Sequence, residues 1–219
     1  IKFEYLGFTK IKIKVGTDPY TDVKRIKAVR EAISDHVALR VDANQGWDKI
    51  EALYVLDQTK DCDIDWFEQP VKANKLIALK EIRDRCHFRI MVDEGVHSVQ
   101  DLLRVIELQA ADLLNIKLMK CGGIYPALSL ANIAEAAGIP CQIGSMVESA
   151  VGVMANAHLA IARSIIQSNG LSASLMFDRN VAEVNFEGES LEVTNKPGFG
   201  IDVDELIVKE LTKHKSTVE

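Results

Sequence analysis

The chain has 219 residues, of which 47 % are hydrophobic and 26 % charged, and its formal net charge is −6. That length buries a core sufficient for one domain, and the acidic balance argues against nucleic acid or an anionic membrane as partner. The most apolar stretch, 150–166, carries His158 and Arg163 and suits a packed helix better than a membrane span.

In chain order, a lysine-rich strand is expected over 10–15 (KIKIKV), then Asp18-Pro19 as a turn or cap into a helix over 21–34. Strands over 38–42 (ALRVD), 64–68 (IDWFE), 89–93 (RIMVD) and 113–117 (LLNIK) follow, alternating with helices over 48–60, 73–85, 99–109 and 125–137. Ser98 reads as the N-cap of the fourth of these five helices, and Gly122-Gly123 as a tight turn. A further strand is expected over 140–144, a helix over 150–166 and a last strand over 171–177. Beyond residue 181 the pattern changes to alternating acidic and apolar residues, read as a hairpin-like segment with a short helix near 204–213. The four cysteines have no CxxC spacing and are expected to remain thiols, and the five histidines have no zinc-ligand spacing.

Five ionisable residues close five of these strands: Lys14, Asp42, Glu68, Asp93 and Lys117, at successive gaps of 28, 26, 25 and 24 residues. A strand, a returning helix and two loops occupy about that length, so the gaps read as a βα repeat. In a (β/α)8 barrel the C-terminal strand ends converge on one mouth, where the active site lies. Alternation then turns Lys12 and Lys14 to one face of their strand and Ile11, Ile13 and Val15 to the other. The apolar face must meet the helices, so the lysines face the barrel interior. With about 45° per strand, Lys14 and Lys117 flank the mouth from opposite sides, with three carboxylates between them. Three hard oxygen donors suit Mg²⁺, with Mn²⁺ as second choice. Such an ion stabilises the enediolate left when a substrate carboxylate loses its α-proton. Two lysines on opposite faces of one carbon are what a 1,1-proton transfer requires.

These residues resemble the enolase superfamily, in its muconate-lactonizing-enzyme-like subgroup. The match runs from about Gly7 to Asp178, on the KxK of Lys12 and Lys14, the DxN of Asp42 and Asn44, the WFEQP around Glu68 and the DE of Asp93-Glu94. NIKLMKCGGI around Lys117 and GSMVES (144–149) look most like the dipeptide epimerases of the L-Ala-D/L-Glu epimerase group. The resemblance implies a modified (β/α)7β barrel, an α/β fold, here over 1–181 and lacking its first strand and N-terminal capping domain. Residues 182–219 then pack on the barrel and capping region, and residues 1–6 end the first helix. It implies Lys14 and Lys117 as bases with Lys12 beside them, and Asp42, Glu68 and Asp93 as Mg²⁺ ligands. Asn44 and Glu94 stand behind the ligands, Ser145, Met146 and Glu148 lie near the substrate, and Lys120 is a structural or loop residue.

Two departures accompany the match. Dipeptide epimerases usually carry DxD at the eighth strand to hold the substrate α-ammonium; this chain reads Met176-Phe177-Asp178, so the resemblance implies Asp178 on the substrate in the second position and Met176 in place of the first aspartate. The capping domain that selects side chains is not in the sequence. The expected activity is epimerisation of a dipeptide at the α-carbon of its C-terminal residue, in a cytoplasmic homo-oligomer with no nucleic-acid or membrane partner. The alternatives are o-succinylbenzoate synthase or N-acylamino acid racemase, muconate cycloisomerase, and an incomplete barrel that binds metal without turnover.

Overall fold

The computed structural model describes residues 2–213. After a one-turn helix α1 (Lys2–Tyr5), strands and helices alternate: β1 (Lys10–Lys14), α2 (Pro19–Ala32), β2 (Ala38–Asp42), α3 (Lys49–Gln58), β3 (Ile64–Glu68), α4 (Leu76–Arg83), β4 (Arg89–Val92), α5 (Val99–Leu108) and β5 (Leu113–Ile116). The short α6 (Leu118–Cys121) and α7 (Ile124–Ala136) lead to β6 (Cys141–Gly144), α8 (Ala150–Ala162) and β7 (Ile166–Gly170). All seven strands pair in parallel, in the sequence order β1 to β7. This is the α/β barrel architecture expected from the repeat, built from seven strands. No described helix is long and apolar enough to cross a membrane.

Helix boundaries follow local chemistry. Asp18 caps α2 by accepting from the Thr21 amide at 2.7 Å, with Pro19 in the first turn. Asp48 and Ser98 open α3 and α5 with capping boxes completed by Glu51 and Asp101, an arrangement that satisfies two otherwise orphaned amides at each start. The outward faces of the strands (Leu39, Val41, Phe67, Ile90, Val92, Leu114, Ile116, Ile143) pack against Ile26, Val55, Leu79, Leu102 and Leu130 of the helices. A separate small cluster, Trp66, Met91 and Leu113, fills the concave side.

The sheet is strongly curled. Arg40 of β2 donates through Nη1 to Ser168 Oγ of β7 at 3.0 Å, so the second and last strands meet across the interior. Its guanidinium also lies 3.8 Å over the Trp66 ring and bonds Asp65 at 3.2 Å. Asp65 is the extra residue of a bulge where the β2–β3 register slips, Leu39 facing Ile64 but Arg40 facing Trp66. The bulge turns that carboxylate inward, where it receives both Arg40 and Arg89.

The last strand departs from expectation. It occupies Ile166–Gly170, and residues 172–176 form a 3₁₀ turn. Helix α8 ends at Ala162 because Arg163 is already in extended backbone, at φ −137° and ψ 111°. The following IQSNG has weak intrinsic strand preference, but pairing of Gln142 with Ser168 and Gly144 with Gly170 outweighs it. The segment after residue 181 forms a two-stranded hairpin, β8 (Phe186–Glu187) and β9 (Ser190–Leu191), then helix α9 (Glu205–Leu211). Its Glu189 accepts from the Thr9 amide and hydroxyl at the foot of β1, and its Phe199 ring lies 6.0 Å from His158 of α8.

Candidate active site

Lys14, Asp42 and Glu68 are the last residues of β1, β2 and β3, while Asp93 and Lys117 directly follow β4 and β5. The register pairs Lys14 with Asp42 and Asp42 with Glu68, which puts these ends at one level. The loops behind them are held close by glycine. Gly16 sits at φ +93°, and a Cβ there would lie 2.1 Å from the Ala43 carbonyl oxygen; one on Gly46 would lie 2.1 Å from the Gly16 carbonyl oxygen. Only residues without side chains let the β1 and β2 loops touch backbone to backbone. Fully buried Asp22 ties the first loop down, accepting from the Gly16 and Thr17 amides and from Trp47 Nε1.

Asp42, Glu68 and Asp93 are all fully buried and can bring one oxygen each within 4.8 Å of one another. Around them stand four lysines. Lys12 Nζ bridges Asp42 at 3.2 Å and Glu68 at 2.9 Å; Lys14 Nζ donates to Asp42 at 2.5 Å and to Asn44 Oδ1 at 2.7 Å. Lys117 binds Asp93 Oδ2, and Lys120 binds Asp93 Oδ1 at 2.8 Å, the Asp93 carbonyl and the Asn115 carbonyl. Glu94 accepts from Asn44 Nδ2 at 3.0 Å. A carboxylate can only accept, so Asn44 turns its amide oxygen to Lys14.

The electrostatics are uneven. Burial favours the protonated form of all three acids, but Lys120 and Lys117 outweigh it at Asp93, whose carboxyl falls to about 2. Lys12 and Lys14 likewise hold Asp42 below the ordinary carboxylate range against its burial. Glu68 goes the other way: burial, reinforced by the Asp42 and Asp93 charges, exceeds the help from Lys12 and pushes it up to about 7. Burial alone would lower Lys12, but Glu68 and Asp42 keep it raised. Burial lowers Lys120. A three-carboxylate, all-oxygen cradle in which the central acid is short of positive charge fits a hard divalent cation such as Mg²⁺.

The expected cluster of Lys12, Lys14, Asp42, Asn44, Glu68, Asp93, Glu94 and Lys117 is therefore brought together. The expected substrate-side residues divide. Ser145 bonds the Gly170 carbonyl at 2.8 Å, linking the ends of β6 and β7, and Met146 is half exposed beside it. Glu148 is buried, bonded to Asn156 Nδ2 at 2.7 Å, and raised by that burial. Met176 and Asp178 are exposed, the first closing the 3₁₀ turn and the second lying two residues beyond it, and neither ends a strand. The mouth end of the last strand is Gly170, followed by Leu171 and Ser172, because the strand lies five residues earlier than its apolar pattern suggested.

Sequence reasoning missed Gln69 and Asn115, and gave Lys120 as a structural or loop residue without its bond to Asp93. Gln69 is buried and accepts from the Asp93 and Gly95 amides, both at 3.0 Å. The available signal was parity: Asn115 lies two residues before Lys117 and so shares its face.

The family model described as enolase C-terminal domain-like matches residues 2–207. The chain is 44 % identical over 213 residues to the N-succinyl-L-Arg/Lys racemase of Bacillus cereus, spanning 97 % of this chain and 58 % of the racemase. It is 41 % identical over 201 residues to the L-Ala-D/L-Glu epimerase of Clostridium acetobutylicum, covering 90 % of this chain and 56 % of that protein. The crystal structure of a dipeptide epimerase from Cytophaga hutchinsonii, complexed with Mg and the dipeptide D-Ala-L-Val, superposes with a TM-score of 0.93 at 35 % identity, over 97 % of this chain and 58 % of that one. The chain thus spans under two thirds of the length of these relatives.

Proposed function

Because the chain belongs to the enolase C-terminal domain-like family, we propose that it carries the catalytic barrel of an isomerase that inverts the α-carbon of an amide-linked amino acid by two-base proton transfer. The observation that carries this reading is the pair Lys14 and Lys117, four strands apart in a seven-stranded curled sheet, on either side of the acidic triad. A substrate seated between them exposes its α-hydrogen to one lysine and the opposite lobe of the same carbon to the other. Lys14 removes the proton from one stereoisomer while Lys117 returns one from the far side; the roles exchange for the other stereoisomer. Asn44, oriented by Glu94, and Asp42 aim the Lys14 ammonium, while Asp93 aims Lys117. Asp42, Glu68 and Asp93 would hold Mg²⁺, which supplies positive charge against the charge gathering on the substrate carboxylate as the α-proton leaves.

A dipeptide is the first substrate class: its C-terminal residue is an N-acylated amino acid with a free carboxylate, in keeping with the epimerase relatives. N-succinyl amino acids share that chemistry and are the second. The end of the last strand supports them, since Gly170-Leu171-Ser172 offers no carboxylate to an α-ammonium, as does the likeness to the racemase.

The test is α-proton exchange in D₂O with Mg²⁺, followed by mass spectrometry, on a set of L,L-dipeptides and N-succinyl amino acids with the full-length protein. Deuterium uptake with inversion is expected. Lys14→Ala and Lys117→Ala should each abolish inversion, each leaving exchange from the stereoisomer that faces the remaining lysine. Absence of exchange in both substrate sets, from protein that binds Mg²⁺, would sink the reading.

A further inference from the structure

Asn115 sits on β5 with its side chain fully buried in the concave side of the sheet. Its Nδ2 donates to Glu68 Oε1 at 2.7 Å, the oxygen opposite the one that Lys12 holds. Its Oδ1 is buried and has no hydrogen-bond partner. On the next strand Asn115 faces Gln142, and its side chain reaches on to Gly144, two residues further: a Cβ there would lie 2.4 Å from Asn115 Oδ1, 3.0 Å from Nδ2 and 3.1 Å from Cγ. The amide therefore occupies the space that any side chain at 144 would fill. The main-chain carbonyl of Asn115 is in turn bound by Lys120 at 2.9 Å, and the same ammonium grips Asp93.

We propose that Asn115 is the positioning residue for Glu68, and that Gly144 is glycine so that the Asn115 amide can stand there. The inference rests on the reading that the acidic triad holds a divalent cation. The amide cannot be reversed without facing its oxygen to a carboxylate, so the wall at Gly144 and the acid at Glu68 together define one orientation. That orientation occupies Oε1 from behind and leaves Oε2 on the Lys12 side. An acid in the middle of three must be aimed from behind, because its two neighbours repel it and Lys12 alone leaves its torsion free. Groups behind metal ligands set affinity in this way, and their loss typically costs 10–100-fold. Charge plays no part in the comparison, since the amide is neutral and its replacement by leucine leaves the net charge unchanged.

The test uses Mn²⁺ as probe, titrated against the full-length protein and read by the loss of free-ion EPR signal, beside thermal melts in EDTA. Asn115→Leu, close in shape to the amide, and Gly144→Ala, which touches neither Asn115 nor Glu68 covalently, should each weaken Mn²⁺ binding about 10–100-fold. The melts add a second readout. Gly144→Ala should lower the melting temperature of the wild type but have little effect in an Asn115→Ala background, where the amide no longer fills the space. Binding of Mn²⁺ by Gly144→Ala within about threefold of the wild type would overturn the proposal, since a second-layer role predicts a larger loss. If Asn115→Leu does not fold, Gly144→Ala and the double variant Asn115→Ala/Gly144→Ala decide the matter by the same criterion. A wild type that binds no Mn²⁺ refutes instead the cation reading on which the inference stands.

Discussion

Lys12→Met tests how the triad balances its charge. The substitution keeps most of the apolar stem and removes the ammonium that bridges Asp42 and Glu68 at 3.2 and 2.9 Å. Deleting one partner of a fully buried ion pair costs about 3–5 kcal/mol. The Lys12 side chain is 30 % exposed, and solvent screening reduces the figure to about 2–3 kcal/mol. For a chain of this length that corresponds to a fall in melting temperature of roughly 5–10 °C. A divalent cation in the same cradle replaces the lost charge, so saturating Mg²⁺ should narrow the gap between variant and wild type. At about 100 times its dissociation constant a ligand adds about 2.7 kcal/mol to either protein, and the tighter-binding, more negative variant gains more at any fixed concentration. The assay is a circular-dichroism melt in EDTA and at a series of Mg²⁺ concentrations. An unchanged melting temperature in EDTA would refute the electrostatic account of the triad; an equal gap with and without Mg²⁺ would refute the shared site.

Three further outcomes are expected. Glu68 has a folded-state value near 7, above its ordinary 4.5; the folded state therefore binds the extra proton, and that stabilisation is complete below 4.5 and lost as pH rises through 7. Metal-free melts should lose stability across that window, Glu68→Gln should remove the slope, and a slope retained in the variant counts against this assignment. Asp93 acts oppositely and lower, its contribution being lost only as pH falls below 3.8 through about 2. Arg40→Met removes a buried cation that ties β2 to β7 and stacks on Trp66; leaving Asp65 with Arg89 alone should cost about 3 kcal/mol, read as a lower urea midpoint, and an unchanged midpoint would show that the curl does not depend on it. Gly16→Ala forces a side chain at φ +93° into the Ala43 carbonyl and should cost about 3 kcal/mol or more; a melting temperature equal to the wild type would contradict the backbone contact between the two loops.

The repeat, the fold class, the acidic triad and the lysines at 12, 14 and 117 were legible in the order of residues alone. Those features are local: a charged residue closing each apolar run, and alternation that leaves Lys12 and Lys14 no face but the concave one. Caps such as Asp18 and Ser98 were legible for the same reason, their partners lying three residues away. The last strand was misplaced because IQSNG carries little strand signal of its own and becomes a strand only by pairing with β6. Gln69, Asn115 and Lys120 acquire their roles across 24, 47 and 27 residues of chain, and Arg40 reaches Ser168 across 128. Such partners are chosen by the curl and register of the sheet, which the tertiary structure alone decides, because the energy of a buried polar group depends on what it meets and not on what precedes it in sequence.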